Sequence, residues 1–112
     1  MYSASVDPGQ LAPTFAALGD PTRLRLVAAL SDGAPRSIAQ LTELTAISRQ
    51  GVTKHLDILA RAGIVTDLKA GRERRWQLDG DRLIEARLAL ESIGREWEQA
   101  LGRLKRFVEG DD

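Results

Sequence analysis

The amino-acid sequence predicts a mainly α-helical domain with one small β-hairpin, in the order α-α-α-α-β-β-α. Apolar residues recur at helical spacing in five segments, each opened by a capping residue or closed by a glycine. Between 64 and 78 the period drops to two, in IVTDL and RRWQL, around a glycine-containing tip. The third and fourth helical segments are separated by little more than Thr45-Ala46-Ile47. Two helices joined by so short a turn, followed directly by a hairpin, predict a winged helix-turn-helix.

The first helical segment is 10–18, QLAPTFAAL, with Leu11, Phe15 and Leu18 on one face and Gly19 ending it. The second opens on Asp20 as N-cap with Pro21 at the first helical position. Its expected apolar stripe is Leu24, Val27, Ala28 and Leu30, and Gly33 stops it. Pro35-Arg36 is a connector. Ser37 caps the third segment, SIAQLTEL, which should bury Ile38, Leu41 and Leu44. Ser48 caps the fourth, running to about Ala62, with Val52, Leu56 and Leu59 turned inward and Gly63 as its left-handed terminator. The hairpin tip is 69–73, where Gly71 offers positive φ. The last segment, 81–108, carries Leu83, Ala86, Leu90, Ile93, Trp97, Leu101, Leu104 and Val108 at steps of three or four.

Length and composition narrow the function classes. A chain of 112 residues is one domain, 1–112, with a single modest core. The absence of cysteine excludes disulfides and thiolate metal sites and fits a reducing compartment. No apolar run approaches the roughly 20 residues of a membrane span, and the N-terminus MYSASVDPGQLAP lacks the pattern of a secretory signal. A cytoplasmic protein with no membrane partner is expected.

The 16 basic and 16 acidic residues cancel in sum but not in place. Residues 1–47 carry three basic and four acidic side chains, 48–78 seven and three, and 79–112 six and nine. Because screening confines fields to about 10 Å at moderate salt, the surplus of cations in 48–78 acts as a basic patch. With Val52, Leu56 and Leu59 inward, the fourth helix presents Arg49, Gln50, Thr53 and Lys54 outward. Arg and Lys pair with guanine edges, Gln brackets adenine, and Thr reaches a base or a phosphate. Ser48 and the first amides of that helix suit a phosphate. Arg72, Arg74 and Arg75 surround the tip, although Arg74 and Arg75 point to opposite sides of a strand. The lone histidine, His55, sits at the edge of the inner face, bonded to backbone or to a phosphate. A Ser48–His55–Asp57 catalytic set is excluded, because residues two apart on a helix do not face each other.

DPTRLRLVAAL, SRQGVTKHLDILARAGIV and AGRERRWQL together resemble the ArsR-type, arsenic-repressor-like winged helix-turn-helix regulators of bacteria, over about residues 11–108. The resemblance implies a homodimer that binds double-stranded DNA, with 48–62 as recognition helix and 66–77 as wing. Ser48, Gln50, Thr53, Lys54 and His55 match the DNA-facing segment and Gly71-Arg72 the wing tip. The sequence departs from the family's metal sensors. Ser37 and Ala39 stand where those carry Cys-x-Cys, and the last helix has no histidine. The branch lacking cysteine metal sites fits, so no metal and no cofactor are expected. Asp79-Gly80-Asp81 fits a helix N-cap better than a cation loop.

The expected DNA-contacting set is Ser37, Ser48, Arg49, Gln50, Thr53, Lys54, His55, Arg72, Arg74 and Arg75, within a DNA-reading part of about 20–78. The last helix is too long for a core of about 70 residues to cover, so part of its stripe needs a partner. Together with the segment 10–18 it forms the expected dimer interface: Leu11, Phe15, Leu90, Ile93, Trp97, Leu101, Leu104 and Val108. A two-fold dimer places its recognition helices about 34 Å apart and implies a pseudo-palindromic operator, blocked by occlusion. Binding would hold the protein at the nucleoid. The alternative is a protein-interaction module using the same fold without DNA. An enzyme is not expected, since the sequence offers no phosphate loop, nucleophile–base pair or ligand cluster. Any small-molecule inducer is left open.

Overall fold

Asp20, Ser37, Ser48 and Asp79 each open a helix by accepting backbone N–H groups of its first turn, and these four caps set the order of the elements. The computed structural model describes residues 7–110. A 3-10 turn at Pro8–Leu11 leads into α1 (Ala12–Leu18) and α2 (Pro21–Ala29). Then come β1 (Arg36–Ser37), α3 (Ile38–Thr45), α4 (Arg49–Arg61), β2 (Val65–Ala70), β3 (Glu73–Leu78) and α5 (Gly80–Val108). The architecture is the expected winged helix-turn-helix, and the first six and last two residues of 1–112 lie outside the described residues.

The core is built from Leu26 of α2 and Leu30 at its C-cap, Leu41 of α3, and Val52, Leu56 and Leu59 of α4. Ile64, Val65 and Trp76 join from the sheet side and Ala17 from α1. The i, i+4 and i+3 steps of Val52, Leu56 and Leu59 turn one stripe of α4 onto α2 and α3, so its opposite face is left to solvent. Gly63, at φ 78°, ends the helix, and Ile64 at once enters the core as the chain becomes strand.

Three features of the connections differ from expectation. Arg36 is not a bare connector: Arg36–Ser37 pairs antiparallel with β3, giving a three-stranded sheet in the order β1-β3-β2. Arg36 also donates to both carboxylate oxygens of Asp32, at 2.8 and 2.7 Å, and to the Ala29 carbonyl at 2.8 Å. The guanidinium, with the Ala34 backbone amide, holds the Asp32 carboxyl well below the usual carboxylate range. The wing tip is tighter than 69–73, because Ala70 is opposite Glu73 and only Gly71-Arg72 lies between. Gly71 takes φ 65° at the first of these positions, which fits a type II′ hairpin turn. The helix-turn-helix corner, finally, is made by Ala46 in the left-handed region at φ 59°, a conformation that a Cβ disfavours.

The helical faces also differ from expectation. Leu26, not Leu24, is the buried partner of Leu30, and Leu24 is half exposed. Leu44 is 59% exposed, and Ile38 only partly covered. Leucines at both 24 and 26 made the phase of α2 ambiguous, and its packing against α1, α3 and α4 resolves it. Leu11, expected at the dimer interface, is 2% exposed within the chain, because the 3-10 turn packs on α1 and α5. Phe15 remains half-buried.

Only Ala86 of the 29 residues of α5 is buried, with Leu83 packed against the core. Beyond them the same stripe continues bare through Leu90, Ile93, Trp97, Leu101, Leu104 and Val108. At 1.5 Å per residue the helix is about 44 Å long, and the molecule extends 70 × 31 × 21 Å. Asp79 accepts from the Asp81 amide at 3.1 Å, so Asp79-Gly80-Asp81 serves as the N-cap.

Candidate nucleic-acid interface

The N-terminal half of α4 presents an exposed polar face. Ser48 Oγ accepts the Gly51 amide at 3.0 Å, which fixes the first turn and leaves the hydroxyl proton free to donate. Position 51 is tight: a Cβ there would lie 3.1 Å from both Ile47 Cγ2 and Ser48 Oγ, so those side chains would have to give by a few tenths of an ångström. Arg49, Gln50, Thr53 and Lys54 are exposed and together line one shallow, open concavity. Thr53 Oγ1 donates to the Arg49 carbonyl at 3.0 Å, which leaves the oxygen able to accept.

Charge pairing divides the seven cations of 48–78 into two groups. Arg61 pairs with Asp57, Arg75 with Glu73 and Arg74 with Asp67. The Arg74 guanidinium also lies over the Trp76 ring, 5.0 Å from its centroid. Arg49, Lys54, Lys69 and Arg72 have no acidic partner among the described residues. Two of these lie on α4 and two on the wing, so the local surplus is held by side chains at liberty to meet an anion. Lys69, which the sequence places in the turn, is in β2 opposite Arg74.

The other expected contacts are placed differently. Ser37 is 5% exposed and engaged in a capping box, its amide donating to Gln40 Oε1 at 2.9 Å and its Oγ accepting the Gln40 amide at 3.2 Å. A side chain so enclosed does not reach a ligand, so Ser37 leaves the set. Gln40, three residues on, was the signal in the sequence. His55 is half-buried, with Nδ1 turned toward Arg23 of α2 at 3.3 Å. Arg74 and Arg75 are exposed to a degree but tied to their carboxylates. No described helix is long and apolar enough to cross a membrane.

Known proteins share this geometry. Residues 18–67, which span α2 to β2, match a helix-turn-helix domain family. The HTH-type transcriptional regulator Rv2034 of Mycobacterium tuberculosis is 37% identical over 98 residues, 86% of this chain and 88% of that protein. An ArsR-like transcriptional regulator from Rhodococcus sp. RHA1 superposes with a TM-score of 0.75 at 38% identity, over 88% of this chain and 92% of its own. The homodimeric winged helix-turn-helix DNA-binding domain Mb0332 of Mycobacterium bovis has the same fold, with a TM-score of 0.62 at 18% identity over 81% and 82% of the two chains. A winged fold, an exposed cationic face on its second helix-turn-helix helix, and relatives of this identity and coverage lead to one conclusion: the chain belongs to the ArsR family of winged helix-turn-helix, DNA-binding transcriptional regulators.

Proposed function

We propose that the protein is a homodimeric repressor that occludes a pseudo-palindromic operator and acts by binding alone, without chemistry of its own. The observation that carries the reading is that four of the cations of 48–78, Arg49 and Lys54 on α4 and Lys69 and Arg72 on the wing, have no acidic partner among the described residues. In this reading α4 enters the major groove with Arg49, Gln50, Thr53 and Lys54 toward the base edges, and Ser48 meets a phosphate. The wing supports it along the backbone, with Arg72 at a tip narrow enough to follow the minor groove. Arg74 and Arg75, braced by Asp67 and Glu73, contribute less.

Dimerisation is supported by the bare continuation of the α5 stripe from Leu90 to Val108, with half-buried Phe15 near its base. A patch of this size left in water is costly, and a second copy offers a matching one. In the Mb0332 domain the same fold is homodimeric. The two recognition helices then address half-sites one helical turn apart.

Selection of duplexes from a randomised pool by the purified chain tests this reading. Enrichment of an inverted repeat, bound by the dimer with affinity that falls steeply as salt rises, is the expected result. A monomer that enriches no sequence would refute it in favour of a protein-interaction role for the same fold.

A further inference from the structure

Arg23 lies in the first turn of α2, where the Asp20 carboxylate caps its amide and that of Thr22 at 3.0 and 2.9 Å. Its guanidinium meets three groups on two other helices. Nε donates to the Ala17 carbonyl at 2.6 Å and Nη2 to the Ala16 carbonyl at 3.5 Å, both in the last turn of α1. Nη1 donates to His55 Nδ1 on α4 at 3.3 Å. An arginine has only donors to offer, so Nδ1 is the acceptor and the ring hydrogen sits on Nε2. Trp76 Nε1 is the only buried side-chain nitrogen or oxygen without a hydrogen-bond partner among the described residues, so Nε2 is not left both buried and unpaired. The imidazole therefore stands on the flank of α4 turned to α2, away from Gln50 and Thr53.

We propose that Arg23 is a positioning residue for DNA recognition and that His55 serves as its acceptor rather than as a phosphate contact. The guanidinium fork is planar and rigid, and it spans the end of α1 and the middle of α4 in one group. Because α1 packs on α5, the fork links the face used for pairing to the helix that reads DNA. It fixes the direction in which each α4 leaves the dimer. The inference rests on the DNA-binding reading above.

Two pairs of substitutions in the full chain separate the possibilities. An asparagine side chain places its amide near the position of Nδ1, a glutamine near that of Nε2. The probe is a labelled duplex enriched by the wild-type chain itself, titrated at several salt concentrations with each variant's folded fraction checked by circular dichroism. His55→Asn should bind within about twofold of wild type. His55→Gln and Arg23→Lys should each weaken binding about fivefold or more, the loss of one net hydrogen bond. All salt slopes should match wild type, because no phosphate contact is removed. In the free protein, the lone histidine gives an unambiguous imidazole ¹⁵N spectrum, which in alkaline buffer should show the Nε2–H tautomer, with an Nδ1 resonance displaced by the hydrogen bond it accepts and altered in Arg23→Lys. The reverse order, glutamine tolerated and asparagine not, would place the working atom at Nε2 and overturn the proposal. So would unchanged affinity with a lowered melting temperature, or an Nδ1–H tautomer. A wild-type chain that enriches no duplex would instead overturn the DNA reading, and the Nδ1 resonance would still decide the Arg23–His55 link.

Discussion

Trp97→Ala probes the pairing of α5 most directly. The side chain is 63% exposed within the chain, and a tryptophan offers up to about 250 Å². Roughly 150 Å² of it therefore remains to be covered, and a partner helix covering two-thirds of that removes about 100 Å² from water per chain. At about 25 cal/mol per Å² this is about 2.5 kcal/mol. The two-fold axis counts it twice, about 5 kcal/mol per dimer, or some three and a half decades in the dissociation constant. Sedimentation equilibrium over a concentration series measures that shift. Because Trp97 touches no part of the core, the far-ultraviolet circular dichroism of the variant should be that of the wild type. The wild type provides a second readout: Trp76 is buried, so a change of tryptophan emission on dilution reports on Trp97. A variant dissociation constant within tenfold of wild type would show that the indole lies outside the interface, and the stripe would lose its assigned role.

Other perturbations test the remaining elements. Arg72→Ala should weaken binding across sequences and reduce the magnitude of the salt slope by about one. Arg74→Ala should change it less, since Asp67 already occupies that guanidinium; equal losses in a salt titration would argue against the division between paired and unpaired cations. Ala46→Gly removes the left-handed strain at φ 59°. Set against the greater freedom of an unfolded glycine, it should stabilise the fold by about 0.5–1 kcal/mol in a urea titration, and a loss would contradict the strain argument. Asp20 has its carboxyl lowered from the ordinary 3.8, chiefly by the backbone hydrogen bond from Arg23. A depressed folded value means that its stabilisation is present above 3.8 and is lost as pH falls through the folded value. Asp20→Asn keeps a capping oxygen without the charge, so its melting temperature should fall less steeply below pH 4 than that of wild type.

Much of the helix-turn-helix was legible because its determinants act over one to four residues. Asp20 and Ser48 accept amides two or three positions on, Gly33, Gly63 and Gly71 take positive φ where a turn requires it, and Val52, Leu56 and Leu59 repeat at the period of one helix. The corner at Ala46 carried no such signal, since alanine does not favour the conformation it takes there. The pairing of Arg36 with Trp76 across 40 residues was equally hidden, as was the packing of Leu11 onto α5.

By itself the sequence determined the elements, their caps and the local surplus of cations, because hydrogen bonds within a turn and the period of apolar residues need no distant partner. Only the tertiary structure decided which leucines of α2 and α3 face the core, and which arginines of the wing are already neutralised. It alone brought Arg23 to His55 across 32 positions. Each of those outcomes depends on what another element presents at the point of contact, and that is a property of the packed chain rather than of any segment in it.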